Sequence, residues 1–181
     1  MKKLFFAALL LVSTPSYSRP LVLANSLWGH AASYAGVNVA TLYGIAVQES
    51  GMRWPDGSFR PWPWTLNVNT GKKGIKAGVR RYRDQRSAQA ALTQLIAAGI
   101  RNVDIGLMQI NLRWHGERVA NELSLLDPRT NISVAAHILK DVNNNDIPLA
   151  VANYHSFNPA RGQKYASHVK RYERIIYQQI Q

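Results

Sequence analysis

The chain reads as a mainly α single domain with one small β element near residues 62–70. Three observations carry that expectation. Apolar residues recur at helical spacing over most of the length; Ala88, Ala91, Leu92, Leu95 and Ile96 follow the i, i+3, i+4, i+7, i+8 pattern of one buried helix face. Helix start signals precede several such runs, among them Asn38 and the pair Asp127-Pro128. No convincing run alternates apolar and polar residues. The stretch from Gly51 to Gly78, where helical spacing lapses, is dense in Gly, Pro and Trp.

The first eighteen residues read as an export signal. Lys2 and Lys3 begin it, Leu4 to Val12 form its apolar centre, and Ser16-Tyr17-Ser18 offers small residues for cleavage before Arg19. The apolar centre falls short of the roughly 20 residues that a membrane-spanning helix needs, and no Cys stands at the cut to take a lipid anchor. Cleavage after Ser18 leaves residues 19–181 as one exported, periplasmic domain, long enough for its own core.

Within that domain, helix is expected from Pro20 to Tyr34, with Leu23, Leu27, Ala31 and Tyr34 on one face and Gly36 as the stop. Asn38 caps a second helix that runs to about Ser50. Residues 51–78 are mostly loop with room for a short hairpin. Helix returns from about Asp84 to Ala98 and is closed by Gly99. A short apolar helix is expected over Gly106 to Leu112, with Asp104 as its cap. Asp127-Pro128 opens a helix to about Val142 that buries Ile132, Ala135, Ala136, Leu139 and Val142. After the turn at Asn143 to Asp146, Pro148 starts a helix through Tyr154, and a last helix covers Gln163 to Gln179.

Composition narrows the chemistry. With no cysteine, disulfides and thiolate metal sites are excluded. The five histidines show no ligand spacing with one another or with a carboxylate, so neither a metal nor a cofactor is expected. The formal charge of +12 suits an anionic surface or polymer, whether cell wall, lipid headgroups or nucleic acid, and a solvated face is the plain alternative. The densest basic stretch, Lys72, Lys73, Lys76, Arg80, Arg81, Arg83 and Arg86, has only Tyr82 among it to stack on bases, so nucleic acid is not the expected partner.

Glu49 is the residue best placed for chemistry. It closes the apolar run Leu42 to Gln48 and is followed by Ser50-Gly51. A carboxylate beside an apolar face is disfavoured in its charged form, which lifts its pKa towards the range of a general acid. Downstream, Gln109 and Asn111 offer two amides within the apolar segment Ile105 to Ile110. Trp54, Trp62 and Trp64 read equally as an aromatic wall for sugar rings or as a small satellite core. Trp114 reads as core.

Taken in order, Glu49-Ser50-Gly51, Gly106-Leu107-Met108-Gln109-Ile110-Asn111, Asn131-Ile132 and Ala152-Asn153-Tyr154 resemble the lysozyme-like lytic transglycosylases. Within them, the chain is similar to the small exported enzymes carried by conjugation, pilus and secretion systems. The likeness spans about Ala31 to Tyr172. It implies a lysozyme-like fold in which Glu49 is the sole catalytic acid/base. It also implies that Met108 and Gln109 line the cleft at the scissile sugar, and that Asn111 contacts an N-acetyl or hydroxyl group. Tyr154 matches the tyrosine of the family's Ala-Tyr-Asn motif, and Tyr165 with Val169 a later Tyr-x-x-x-Val pattern, which implies that both tyrosines contact the substrate.

The departures are specific. His155 stands where that motif has Asn, adding a titratable group to the substrate-contacting set. Leu112 replaces a common Pro, and the interval from Glu49 to Gln109 is long for the family. Thr65, grouped with the substrate contacts, and Asn67 are the candidates for the small polar residue that supports the glutamate. The implied substrate is peptidoglycan glycan strands, cut without a cofactor between N-acetylmuramic acid and N-acetylglucosamine to leave a 1,6-anhydro ring. A pilus, conjugation or secretion complex is the implied partner. Two alternatives stay open: a lysozyme-type hydrolase in which Glu49 activates water, and a non-catalytic wall-binding assembly component. For Asp104, capping is preferred to a nucleophile's role.

Overall fold

The computed structural model describes residues 22–72 and 74–180. The export signal, Pro20 and Lys73 lie outside them. Helices α1 (Leu27–Ala35) and α2 (Val39–Ser50) lead into a hairpin of β1 (Gly51–Arg53) and β2 (Phe59–Pro61). Strands β3 (Thr65–Val68) and β4 (Gly78–Arg81), helix α3 (Gln85–Ala97), and strands β5 (Val103–Ile105) and β6 (Ile110–Asn111) follow. The chain ends with the short α4 (Leu112–His115), two 3-10 turns, α5 (Pro128–Asp141), α6 (Ile147–His155) and α7 (Pro159–Ile180). The architecture is mainly α with a small antiparallel sheet, as in lysozyme-like domains. Among the described residues, no helix is long and apolar enough to cross a membrane.

Side-chain caps set most helix starts. Asn38, Asp84, Asp127 and Asp146 each accept a hydrogen bond from a backbone N–H in the first turn of α2, α3, α5 and α6. The first helix starts later than its apolar spacing predicts. The hydroxyl of Ser26 accepts from the Trp28 N–H, so α1 begins at Leu27. Residues ahead of it fold back so closely that a Cβ on Gly29 would meet the Ala24 carbonyl. Leu23 thereby packs with Ala40, Tyr43, Val47 and Ile176 in a cluster of its own. The last helix, in contrast, starts earlier than predicted, at Pro159.

Helix α2 is the buried spine, with every residue from Ala40 to Val47 inside. It lies tightly against α7. A Cβ on Gly44 would sit 3.4 Å from the Val169 carbonyl oxygen and the Glu173 nitrogen. The Asn38 amide and the Thr41 hydroxyl both donate to Glu173 Oε1 at 2.9 Å, fixing the start of α2 on α7. The inner end of α2, which carries Glu49, is therefore held by a long partner helix.

The sheet is larger than the sequence suggests. Its order is β4-β3-β5-β6, all antiparallel, and β3 occupies the expected 62–70 region. The helix expected over Gly106 to Leu112 is instead the turn and strand that complete a β5–β6 hairpin. Gly106 has φ +81° and Gln109 has φ +49°, left-handed values that no α-helix accommodates. Asp104 caps nothing; it sits in β5 opposite Asn67 and Asn111. The three tryptophans pack on one another and do not line the groove, and Trp64 also joins the main core. Trp54 meets Trp62 at 4.7 Å, and Trp62 meets Trp64 at 5.6 Å, both edge to face. The Trp62 indole N–H donates to the Tyr82 carbonyl.

Candidate active site

The last turn of α2 delivers Glu49, and the residues around it fix where it points. The next residue, Ser50, is buried and donates from Oγ to the Leu107 carbonyl at 2.7 Å, tying the helix end to the β5–β6 turn. From α7, the buried Tyr165 hydroxyl donates to Glu49 Oε1 at 2.5 Å. From α6, Tyr154 donates to the Met108 carbonyl at 2.9 Å, and the His155 ring stacks on Tyr165 at 4.4 Å with planes 3° apart. Three helices and one turn thus converge on a single carboxylate.

That carboxylate is not an ordinary one. Burial pushes its pKa up from 4.5 to about 7; the Tyr165 hydroxyl pulls the other way, and the negative charge of Asp104 adds to the rise. Burial also drives Tyr154 and Tyr165 well above the usual phenol range, which keeps both as neutral donors. Burial lowers His155, which leaves its ring neutral near pH 7. Because the Tyr165 hydrogen bond favours the ionised form, Tyr165→Phe should raise the Glu49 pKa above its value near 7. Carboxyl NMR titration of the two proteins checks this; an unchanged or lowered value would remove Tyr165 from the account.

The turn that faces Glu49 is built on Asn131. Its amide donates to the Ile105 and Leu125 carbonyls and its oxygen accepts from Met108 N–H, each at 2.8 Å. Gly106 has no room for a side chain here, since a Cβ would lie 2.5 Å from the Asn131 amide nitrogen. The Gln109 amide nitrogen donates to the Gly106 carbonyl at 2.8 Å and, more weakly, to that of Thr65 at 3.4 Å. Its carbonyl oxygen is left as the group a ligand can meet.

A groove of about 680 Å³ runs from Glu49 over the sheet. Other depressions match it in volume, one of about 680 Å³ beside α7 among them; what sets this groove apart is a half-buried carboxylate whose pKa is raised to about 7. Glu49, Gln109, Asn111, Tyr154 and His155, all expected in the site, line it together. Tyr165 stands behind Glu49 and holds it, the supporting task that the sequence reading gave to Thr65 or Asn67. Three expected substrate contacts do not line the groove: Tyr165, buried behind the carboxylate, and two residues of the sheet region. Met108 is wholly buried and offers the site only its backbone groups. Thr65 is buried as well, its hydroxyl donating to the Trp62 carbonyl, so it positions Gln109 from below.

The floor holds residues that sequence reasoning missed. Asp104 accepts from the side-chain amides of Asn67, Asn69 and Asn111 at 3.0, 2.8 and 2.7 Å. Asn102 accepts from Asn111 at 2.9 Å, and Arg161 stands at the rim beside His155. A signal for them exists in the chain. In Leu66-Asn67-Val68-Asn69 and Asn102-Val103-Asp104-Ile105 the polar residues recur every second position, the spacing that sends alternate side chains to one face of a strand. Trp114, expected in the core, is 65 % exposed and lines the groove.

Fold and groove together define a lysozyme-like domain organised around one raised carboxylate. The family described as the Transglycosylase SLT domain matches residues 26–175, and the chain belongs to that family. Membership carries lytic-transglycosylase-type cleavage of peptidoglycan as the general activity. No curated protein and no solved structure matches the chain.

Proposed function

We propose that this protein is an exported, periplasmic lytic transglycosylase in which Glu49 is the only acid and base. Its substrate is the β-1,4 bond from N-acetylmuramic acid to N-acetylglucosamine. Protonated Glu49 gives its proton to the linking oxygen, and the C1–O bond breaks. The acetamido oxygen of the muramoyl ring stabilises the cationic C1 that develops. The Glu49 carboxylate then takes the proton of the C6 hydroxyl as O6 closes on C1. The product is a 1,6-anhydromuramoyl end, and Glu49 is left protonated for the next cycle.

The observation that carries this reading is the Glu49 pKa of about 7, in a groove where Tyr165 supports the ionised form by a 2.5 Å hydrogen bond. A group balanced there can serve as acid and then as base at neutral pH. Asp104, the other carboxylate lining the groove, is engaged by three asparagine amides, which suits the floor of a binding site better than a nucleophile. The biological role that fits is local opening of the wall for a pilus, conjugation or secretion apparatus, by analogy with similar small exported enzymes.

Mass spectrometry of fragments released from purified sacculi tests the reaction. Fragments should end in anhydro sugars, one water lighter than reducing ends. Reducing ends from the wild-type protein would replace this mechanism with hydrolysis. Absence of any release would leave a wall-binding component.

A further inference from the structure

The depression beside α7 takes no part in the reaction above. It lies between the β1–β2 hairpin and the C-terminal half of α7, and Tyr43, Val47, Phe59, Tyr172, Ile175 and Ile176 give it an apolar lining. Phe59 is 49 % exposed and Ile175 51 %. The Phe59 ring lies parallel to that of Tyr172 with centres 6.4 Å apart, so the hairpin rests on α7. The chain enters the domain at the same place. Leu23 shares a cluster with Tyr43, Val47 and Ile176, three of the lining residues, and Val22 just before it is 78 % exposed.

Cations stand along this apolar surface. Lys164, Lys170, Arg171 and Arg174 are exposed on α7, and Arg171 lines a second depression with Tyr172 and Ile175. Among the described residues none of the four pairs with a carboxylate, whereas Arg60, Arg83, Arg101 and Arg118 each do. Glu173, the acid between them in sequence, accepts from Asn38 and Thr41 instead. Asp56 of the hairpin is held by Arg60. The stretch from Lys72 to Arg86 is as basic, but among its described residues Val79 is the single large apolar side chain left exposed.

Two arguments name the occupant. Uncompensated cations beside exposed apolar groups match an anionic lipid surface, which meets the cations with its headgroups and the apolar side chains at the edge of its hydrocarbon. A second copy of the chain would set the same positive face against this one. The other argument is position. The apolar centre of the expected export signal ends at Val12, ten residues before Val22, a span of about 35 Å at full stretch. An uncut leader therefore keeps this face beside the membrane.

Resting on the export proposed above, we infer that the C-terminal half of α7 and the β1–β2 hairpin form a docking face for the anionic lipid surface across which the chain is exported. Phe59 and Ile175 enter the headgroup boundary, and Arg171 and Arg174 meet lipid phosphates. Ile175 lies ten residues along α7 from Tyr165, about 15 Å, so the enzyme docks by a part of the helix away from its catalytic groove.

The test is co-sedimentation of the mature protein, residues 19–181, with vesicles of phosphatidylcholine alone and of phosphatidylcholine and phosphatidylglycerol in equal parts. Wild type should bind the anionic vesicles and not the neutral ones. Arg171→Gln with Arg174→Gln should weaken that binding about thirtyfold, and Ile175→Ser about fivefold. Melts should match wild type in each case, because the side chains are exposed. Arg83→Gln with Arg86→Gln removes the same charge from the other basic stretch and should leave binding unchanged. Both double variants should still release fragments from free sacculi as wild type does, which keeps this test apart from that of the catalytic reading. Equal losses in the two double variants would reduce the binding to net charge and overturn the docking face. Absence of binding to anionic vesicles would overturn it as well, with export left standing; a dimer in sedimentation equilibrium that Ile175→Ser dissolves would then give the face to a second copy. Recovery of the chain from the cytoplasm with its leader uncut would overturn export, and the docking face with it.

Discussion

Glu49→Gln should abolish wall lysis and, in the same molecule, raise stability at neutral pH. The first effect follows from the proposed mechanism, which loses its proton donor to the linking oxygen; a loss of about a thousandfold is the scale of general acid–base catalysis. The second follows from linkage. Glu49 titrates at 4.5 when unperturbed and at about 7 in the fold, so between those values the folded state binds more protons than the unfolded one. Stability contributed by the neutral carboxyl is fully present below pH 4.5 and is lost as pH rises through about 7. The ionised wild-type site then carries a penalty of about 3 kcal/mol at most, reduced by whatever contact the carboxylate keeps with groove water. Glutamine has the same shape and never ionises. Urea midpoints of variant and wild type should therefore diverge at pH 8, with the variant higher, and converge at pH 4. Retained lysis would sink the assignment of Glu49, and a variant less stable at pH 8 would sink the raised pKa of its carboxylate.

How much of this was legible beforehand depends on the range over which each element is decided. Helices α2, α3 and α5 are decided locally: Asn38, Asp84 and Asp127 cap them with their own side chains, and their apolar faces repeat at helical spacing. The place of Glu49 in the last turn of α2 was legible for the same reason, since its apolar neighbours are on its own helix. The sheet is decided at a distance. Strands β5 and β6 have only three and two residues, and an apolar run as short as Ile105 to Ile110 has no period of its own. What makes it a hairpin is pairing with β3 and the left-handed Gln109; the one local mark, the alternation over Asn102 to Ile105, is only four residues long. Asp104 was misplaced for that reason, and with it the amide floor. Trp114 was misplaced by a different route. A tryptophan close to an apolar segment ordinarily joins the core, but α4 ends at His115 and turns it outward into the groove. Tyr165 was found through likeness to a family pattern; its spacing from Glu49 says nothing, because only the docking of α7 on α2 brings them together.

Asn131→Ala should be the most damaging single change outside Glu49, with the opposite effect on stability. Asn131 is 1 % exposed, and its side chain holds three backbone groups from three places: the Ile105 and Leu125 carbonyls and the Met108 N–H. Truncation strands all three without water to replace the lost partners, and opens a cavity beneath Gly106. Each buried orphan costs about 1–3 kcal/mol, and partial relaxation keeps the sum near about 3–5 kcal/mol. The loss reaches function as well, because this turn presents Gln109 to the groove and the Leu107 and Met108 carbonyls to Ser50 and Tyr154. Lysis should fall even at temperatures where the variant stays folded. Asn131→Asp separates the two contributions: it keeps an acceptor for Met108 N–H but loses both donors and buries a charge, so it should destabilise at least as strongly at neutral pH. Denaturant unfolding followed by far-UV circular dichroism gives the energies, and sacculus lysis on ice gives the activity. An alanine variant within about 1 kcal/mol of wild type would mean that the turn is held from elsewhere, and that the link from Asn131 through Met108 to the catalytic groove does not exist.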